Sequence, residues 1–148
     1  MSKRLKIDLL VGWGDHSSEN PDGPPTFYRD DVETPGVLQV SFAEYHSGEI
    51  PNPSEADLID LSRGIGEKEE GSQLITTSSG QCRLGQWGTA VFRTSVFPRF
   101  QVWNLSNGRD IVFVTYICEG EPSREEITQA QDIVNRINLV DQPWWRFW

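Results

Sequence analysis

The sequence predicts an α+β fold: a twisted, mostly antiparallel β-sheet with helices packed against it as an α/β/α sandwich. Three observations carry that reading. Four β-rich segments between Leu74 and Cys118 are separated by turn signals. Two amphipathic stretches, one on each side of that block, begin with helix-capping residues. The run Ile111-Val112-Phe113-Val114 is apolar at every position, which suits a strand covered on both faces.

The elements follow in chain order. Leu5 to Trp13 is an apolar run and reads as the first ordered segment, closed by Gly12-Trp13-Gly14. Residues 15–25 are polar and rich in Pro and Gly, and read as a long, mobile loop. Val37 to Tyr45 alternates, with Leu38, Val40 and Phe42 on one face and Gln39 and Ser41 on the other, which is the period of a strand. Ser54 with Asp57 three residues on makes an acidic capping box, and Leu58, Leu61 and Ile65 continue at helical spacing. Gly64 and Gly66 stand where a left-handed cap would end that helix.

The strand block comprises Leu74–Thr77, Gly85–Thr94, Phe100–Leu105 and Ile111–Cys118. Turns are expected at Ser78-Ser79-Gly80, at Phe97-Pro98 and at Asn107-Gly108, whose two residues tolerate positive φ. Gly85 to Gly88 suggests a bulged strand. Ser123 and Glu126 form a second capping box, and Ile127, Ala130, Val134 and Ile137 fall on one helical stripe. A C-terminal tail, residues 141–148, holds Trp144, Trp145, Phe147 and Trp148. The 148 residues form one domain, with no internal repeat.

This order resembles the PsbP-like superfamily, which includes the Mog-type Ran-binding and DcrB-like bacterial proteins. The residues that carry the likeness are the strand Val37 to Phe42, the capped helix Ser54 to Ile65, and Leu84-Gly85-Gln86-Trp87-Gly88-Thr89-Ala90-Val91. Gln101 to Leu105, Ile111 to Tyr116 and the C-terminal helix complete it. The resemblance implies a non-enzymatic domain that acts through protein contacts as a regulator, chaperone or assembly factor; an immunity-type role fits by analogy alone. It assigns no functional residue.

Charge narrows the partners. There are 22 acidic and 13 basic residues, a formal charge of −9, and the basic ones are scattered. Nucleic acid and anionic membrane both need a local cationic surplus, so neither is expected as a partner; a basic protein fits better. No segment matches a signal peptide or a membrane span, and two cysteines give no disulfide framework, so the expected location is the cytoplasm with both thiols reduced. On the same grounds the Asn104-Leu105-Ser106 sequon is expected to stay unmodified.

Chemistry-bearing residues are sparse. His16 lies in the long loop and His46 follows Tyr45; neither has partners at metal-ligand or catalytic spacing. Cys82, next to Arg83, is read at a strand start and could act as a nucleophile with His46 as its base. That defines the alternative function: a small thiol-dependent hydrolase or small-molecule-binding protein built on Cys82 and His46. Cys118 reads as a core residue. The acidic groups Asp15/Glu19/Asp22, Asp30/Asp31/Glu33 and Glu67/Glu69/Glu70 do not follow a calcium-loop pattern, and the glycine groups do not follow a phosphate-loop pattern. No metal or cofactor is therefore expected.

The favoured function is a protein-interaction domain that uses an apolar groove beside the sheet or the aromatic tail. Trp and Arg recur as binding hot spots, so Trp144, Trp145, Phe147 and Trp148 are candidate partner-binding residues, packing within the domain or across a homodimer.

Overall fold

The computed structural model describes residues 3–45 and 48–141. Among the described residues there are nine strands and two α-helices: β1 (Lys3–Lys6), β2 (Trp13–Asp15), β3 (Thr26–Arg29), β4 (Val37–Ala43), α1 (Glu55–Gly66), β5 (Gln73–Gln81), β6 (Gln86–Arg93), β7 (Arg99–Ser106), β8 (Ile111–Cys118), α2 (Arg124–Arg136) and β9 (Asn138–Asp141). Seven strands form one antiparallel sheet in the order β2-β3-β4-β8-β7-β6-β5, while β1 and β9 pair separately with each other. The α+β class and the helix-against-sheet packing agree with the sequence reading.

Strand period two divides the sheet into two faces. Val112, Val114, Tyr116 and Cys118 of β8 join Leu38 and Val40, Trp103 and Leu105, and the α2 stripe Ala130, Ile133, Val134 and Ile137 in the main core. Trp13 and Trp103 donate their indole N–H groups to Gln129 and Gln131 of α2, at 2.8 and 3.0 Å, so both large rings are buried without an orphan donor. The opposite face carries a second cluster of Ala90, Phe92, Phe100 and Val102 beneath α1.

α1 packs on β5, β6 and β7. Its capping box forms as expected, with Asp57 N–H donating to Ser54 Oγ and Ser54 N–H donating to the Asp57 carboxylate. Its glycines serve a different purpose from the expected one. The helix runs through Gly66, and the next residue, Glu67, is right-handed at φ −64°. Gly66 lies against Phe92, where a Cβ would come within 2.0 Å of the ring. Close packing, not a left-handed cap, requires glycine there.

Other local expectations shift for physical reasons. Ser78-Ser79-Gly80 continues β5 to Gln81, because the ladder to β6 outweighs the turn preference of small polar residues. The bulge falls between Leu74 and Thr76, whereas β6 is regular from Gln86 to Phe92. The apolar run Leu5–Trp13 is not one segment: β1 ends at Lys6, and Trp13 opens β2 after Gly12 at φ +92°. Short β3 and β9 had no distinct pattern. The 15–25 segment contains a 3₁₀ turn, Ser17–Glu19, and is tied down by Thr26 N–H donating to Ser17 Oγ at 3.0 Å.

Asp110 follows the Asn107-Gly108 turn, where Gly108 has φ +95° as the hairpin signal requires. Its carboxylate is 1% exposed and accepts from Lys3 Nζ at 2.6 Å, Tyr45 N–H at 2.7 Å and Asn107 Nδ2 at 3.2 Å. Burial pushes its pKa up, but the hydrogen bonds from Lys3, Tyr45 and Asn107 outweigh that and hold it below the usual carboxylate range. The unfolded chain therefore takes up this proton first as pH falls. The stability Asp110 contributes is present above about pH 4 and lost as pH drops through its folded value. Asp110→Asn is expected to lower unfolding stability at pH 7 by about 1–3 kcal/mol. The gap to wild type should narrow below about pH 4, as urea titrations at several pH values would show. An equal gap at pH 7 and pH 3 would contradict this role.

Candidate functional site: an apolar groove on the sheet face beside α1

α1 covers only the β5–β7 half of its face. Over the other half, side chains of β3, β4 and β8 line an open groove of about 470 Å³. Its floor is the cross-strand pair Val37 and Ile117, directly opposite each other in the β4–β8 ladder. Pro35 and Phe97 form apolar walls, and Glu33 and Glu119 bring carboxylates to it. Thus β8 is apolar on both faces, as its sequence shows, but its second face is covered only in part. Phe113 packs into the cluster beneath α1, while the groove reaches Ile117.

The Glu33–Pro35 wall is fixed from below. Gly36 N–H donates to Glu126 Oε1 at 2.8 Å, and Tyr116 donates its phenol to the same oxygen at 2.5 Å. Burial, then the bond to Glu126, holds the Tyr116 phenol far above its usual range, so it remains a donor. A Cβ on Gly36 would lie 2.3 Å from the Tyr116 ring, so the loop can reach Glu126 only with glycine at this point. Ser123 Oγ caps Glu126 N–H at 3.1 Å as expected. The return half of the expected box is missing, because the Glu126 carboxylate is turned into the core. At the wall's other end Arg29 Nε donates to Asp31 at 3.0 Å.

Tyr28 closes one side of the groove, and its ring stacks on His16 at 3.6 Å between centroids. His16 Nε2 lies 2.7 Å from Asp30 Oδ1 and Nδ1 lies 3.1 Å from Glu19 Oε1. Tyr28 donates to the same Glu19 oxygen at 2.7 Å, which holds its phenol above the ordinary value. His16 thus pins the 15–25 segment to the sheet edge. Among the described residues, no group of three or more His, Cys, Asp or Glu side chains is placed to hold a metal ion.

Cys82 lies in the tight turn after β5, not at a strand start, with Cys82 N–H donating to Gly85 O at 3.0 Å. Burial pushes its thiol pKa up, the reverse of what activates a nucleophile, and Arg83 turns away to Asp8 at 3.1 Å. Cys118 is buried and pushed up to about 11 by burial. His46 and the tail residues Trp144, Trp145, Phe147 and Trp148 lie outside the described residues. The groove residues themselves gave little warning. Val37 and Ile117 read as ordinary strand positions, and only the two-sided apolar pattern of β8 indicated that a second face needed cover.

Eight chains of known structure match this fold. One is cyanobacterial PsbP (CyanoP) from Synechocystis sp. PCC 6803, with a TM-score of 0.53 over 94% of this chain and 93% of that one, at 11% identity. The fold is PsbP-like. A second match is a protein from Bacteroides thetaiotaomicron VPI-5482, with a TM-score of 0.49 and 14% identity, which covers 93% of this chain and 46% of that one. No protein-family model matches the chain, and no curated protein sequence does. At such identities the likeness concerns architecture alone.

Proposed function

We propose that this PsbP-like chain is a non-catalytic interaction domain that binds a basic protein segment in the groove over Val37 and Ile117. The observation that carries the reading is the half-covered sheet face: aliphatic and aromatic walls with Glu33 and Glu119 beside them. Such a site suits an extended segment with one or two apolar anchors flanked by Lys or Arg. The anchors supply most of the affinity and the charges supply orientation and encounter rate. The overall charge of −9 adds long-range attraction for the same partner.

Panning a random peptide display library against the immobilised domain tests this directly. The expected peptides combine Lys or Arg with an aliphatic or aromatic residue. Ile117→Lys and Val37→Lys should each weaken them at least about tenfold while the far-UV spectrum is unchanged, since about 1.4 kcal/mol is tenfold. A Trp144→Ala/Trp145→Ala/Trp148→Ala variant should bind as wild type does. Peptides that bind the two lysine variants normally, or that depend on the tail tryptophans, would overturn the groove assignment.

A further inference from the structure

We propose that a cavity at the start of β7 is a binding site for a short aliphatic monocarboxylate, held by Arg99. The cavity lies on the sheet face opposite α1. Phe92, Phe100 and Val102 belong to the cluster beneath α1, so strand alternation turns Val91, Arg93, Arg99 and Gln101 the other way. It measures about 140 Å³ and lies between β5–β7 and the first turn of α2. Ile75, Val91 and Ile127 give it aliphatic walls, and Arg93, Arg99 and Glu121 bring charges. Among the described residues, Arg29 and Arg99 are the two arginines withdrawn from full exposure. Arg29 is paired with Asp31, whereas Arg99 forms no ion pair with a described residue. Of the five N–H groups of its guanidinium, one is used there: Nη2 donates to Gln101 Oε1 at 2.7 Å. Arg99 Nε is the one buried side-chain polar atom among the described residues that has no partner. Burial pulls the guanidinium pKa below its ordinary value, as expected of a desolvated cation with no anion against it.

The guanidinium is held in place before any ligand arrives. Gln101 Nε2 donates to Thr89 Oγ1 at 3.1 Å, and the Thr89 hydroxyl donates to Val102 O at 2.6 Å. That relay is buried and fixes the Gln101 oxygen against Arg99. A planar guanidinium fork matches a carboxylate, two N–H groups to two oxygens. Charge sets the valence of the ligand. Arg93 lies 2.5 Å from Glu121 and is neutralised there, so the cavity keeps the single positive charge of Arg99. A monoanion balances it, whereas phosphate, at about −1.5 to −2 near pH 7, overshoots and faces Glu121. The chain's −9 is screened beyond roughly 8 Å at physiological salt, so the local charge governs the site. Size sets the chain length. The volume equals that of about four to five waters, which accommodates a carboxylate and two or three further carbons against the aliphatic walls.

Titration of the full chain with sodium butyrate at constant ionic strength, followed by proton–nitrogen NMR, tests this at the site itself. The expected result is a saturable shift of the Arg99 Nε–H and of the Arg93 and Arg99 amides, with a Kd on the order of 1 mM for so small a ligand. Butyramide, the same size without the charge, should leave them in place. Gln101→Glu sets a carboxylate of the chain's own against Arg99 with almost no change of shape, and should weaken butyrate at least about tenfold in a folded protein. Arg99→Gln should do the same, while Glu121→Gln, which removes a like charge, should tighten binding. Acetyl-alanyl-alanyl-valine, which carries its carboxylate at the end of a peptide, should bind no better than butyrate. Tighter binding of that peptide overturns the free acid as the occupant. A wild type with no saturable shift at Arg99, an equal response to butyramide, or a Gln101→Glu variant that binds as wild type does overturns the site. The groove reading is separate, because Ile117→Lys should bind butyrate normally.

Discussion

Replacing Gly88 with alanine is expected to destabilise the domain by about 3 kcal/mol or more, the upper range for overpacking a tight contact. Gly88 sits on β6 beneath α1, where a Cβ would stand 2.5 Å from Ile59 N and 2.7 Å from the Leu58 carbonyl carbon. Both neighbours are backbone, so relief requires the whole helix to lift rather than one rotamer to turn. Lifting α1 also strains Ser62, whose hydroxyl donates to Leu58 O and lies 3.0 Å from Gly88 O while accepting from Asn104 Nδ2 at 3.0 Å. That network is buried, so its loss leaves polar groups without partners. Gly64, on the same helix, has nothing within 4 Å of a Cβ and an ordinary φ. Gly64→Ala should therefore stabilise by about 0.5–1 kcal/mol through helix propensity and reduced unfolded-state entropy. Urea unfolding midpoints for the two variants should move in opposite directions. A Gly88→Ala variant within about 0.5 kcal/mol of wild type would mean that α1 is not held by this contact.

Glu126→Ala is expected to cost about 3–5 kcal/mol, because the carboxylate it removes satisfies two buried donors at once. Glu126 is 4% exposed, and the Tyr116 phenol and the Gly36 N–H both depend on it. Alanine would leave both unpaired and a void between α2 and β8. Glu126→Gln keeps an acceptor oxygen and nearly the same volume, and should lose about half as much or less. The pair separates hydrogen bonding from packing. Because Gly36 anchors the Glu33–Pro35 wall, the alanine variant should also weaken groove binding more than its stability loss alone explains. Equal losses for Ala and Gln would show that the two donors do not rely on this oxygen.

These two sites also show what the sequence could and could not disclose. Local rules located α1, α2 and the β6–β8 meander, because capping residues, helical stripes and an Asn-Gly turn each act over a few positions. Long-range chemistry stayed hidden. Nothing near Glu126 marks it as the acceptor for Gly36, so its place in a capping pattern suggested an outward role that the core overrides. The same applies to Gly66 and Gly88, whose requirement comes from Phe92 and from α1 rather than from their own φ. β3, β9 and the far end of β5 are strands because neighbours supply a ladder, which no period within them announces. The groove was legible only as a surplus of apolar residues on β8. Its actual lining needed the positions of β4 and of the 30–36 loop.

The sheet order has one further consequence, for the assembly of the chain. Among the described residues, the one ladder that joins the β2–β3–β4 half to the β5–β8 half is β4 on β8, from Val37 opposite Ile117 to Ala43 opposite Ile111. Neighbours within each half are connected by short segments, whereas this seam encloses α1 and three strands. Closing so long a loop from the open chain costs about 2–3 kcal/mol more entropy than closing the β7–β8 turn. Once β5 to β8 have zipped together, only the segment from Glu44 to Ser72 remains to be looped. The least costly route therefore forms the C-terminal meander first and lays β4 onto it afterwards. The floor of the groove, Val37 against Ile117, belongs to that late seam.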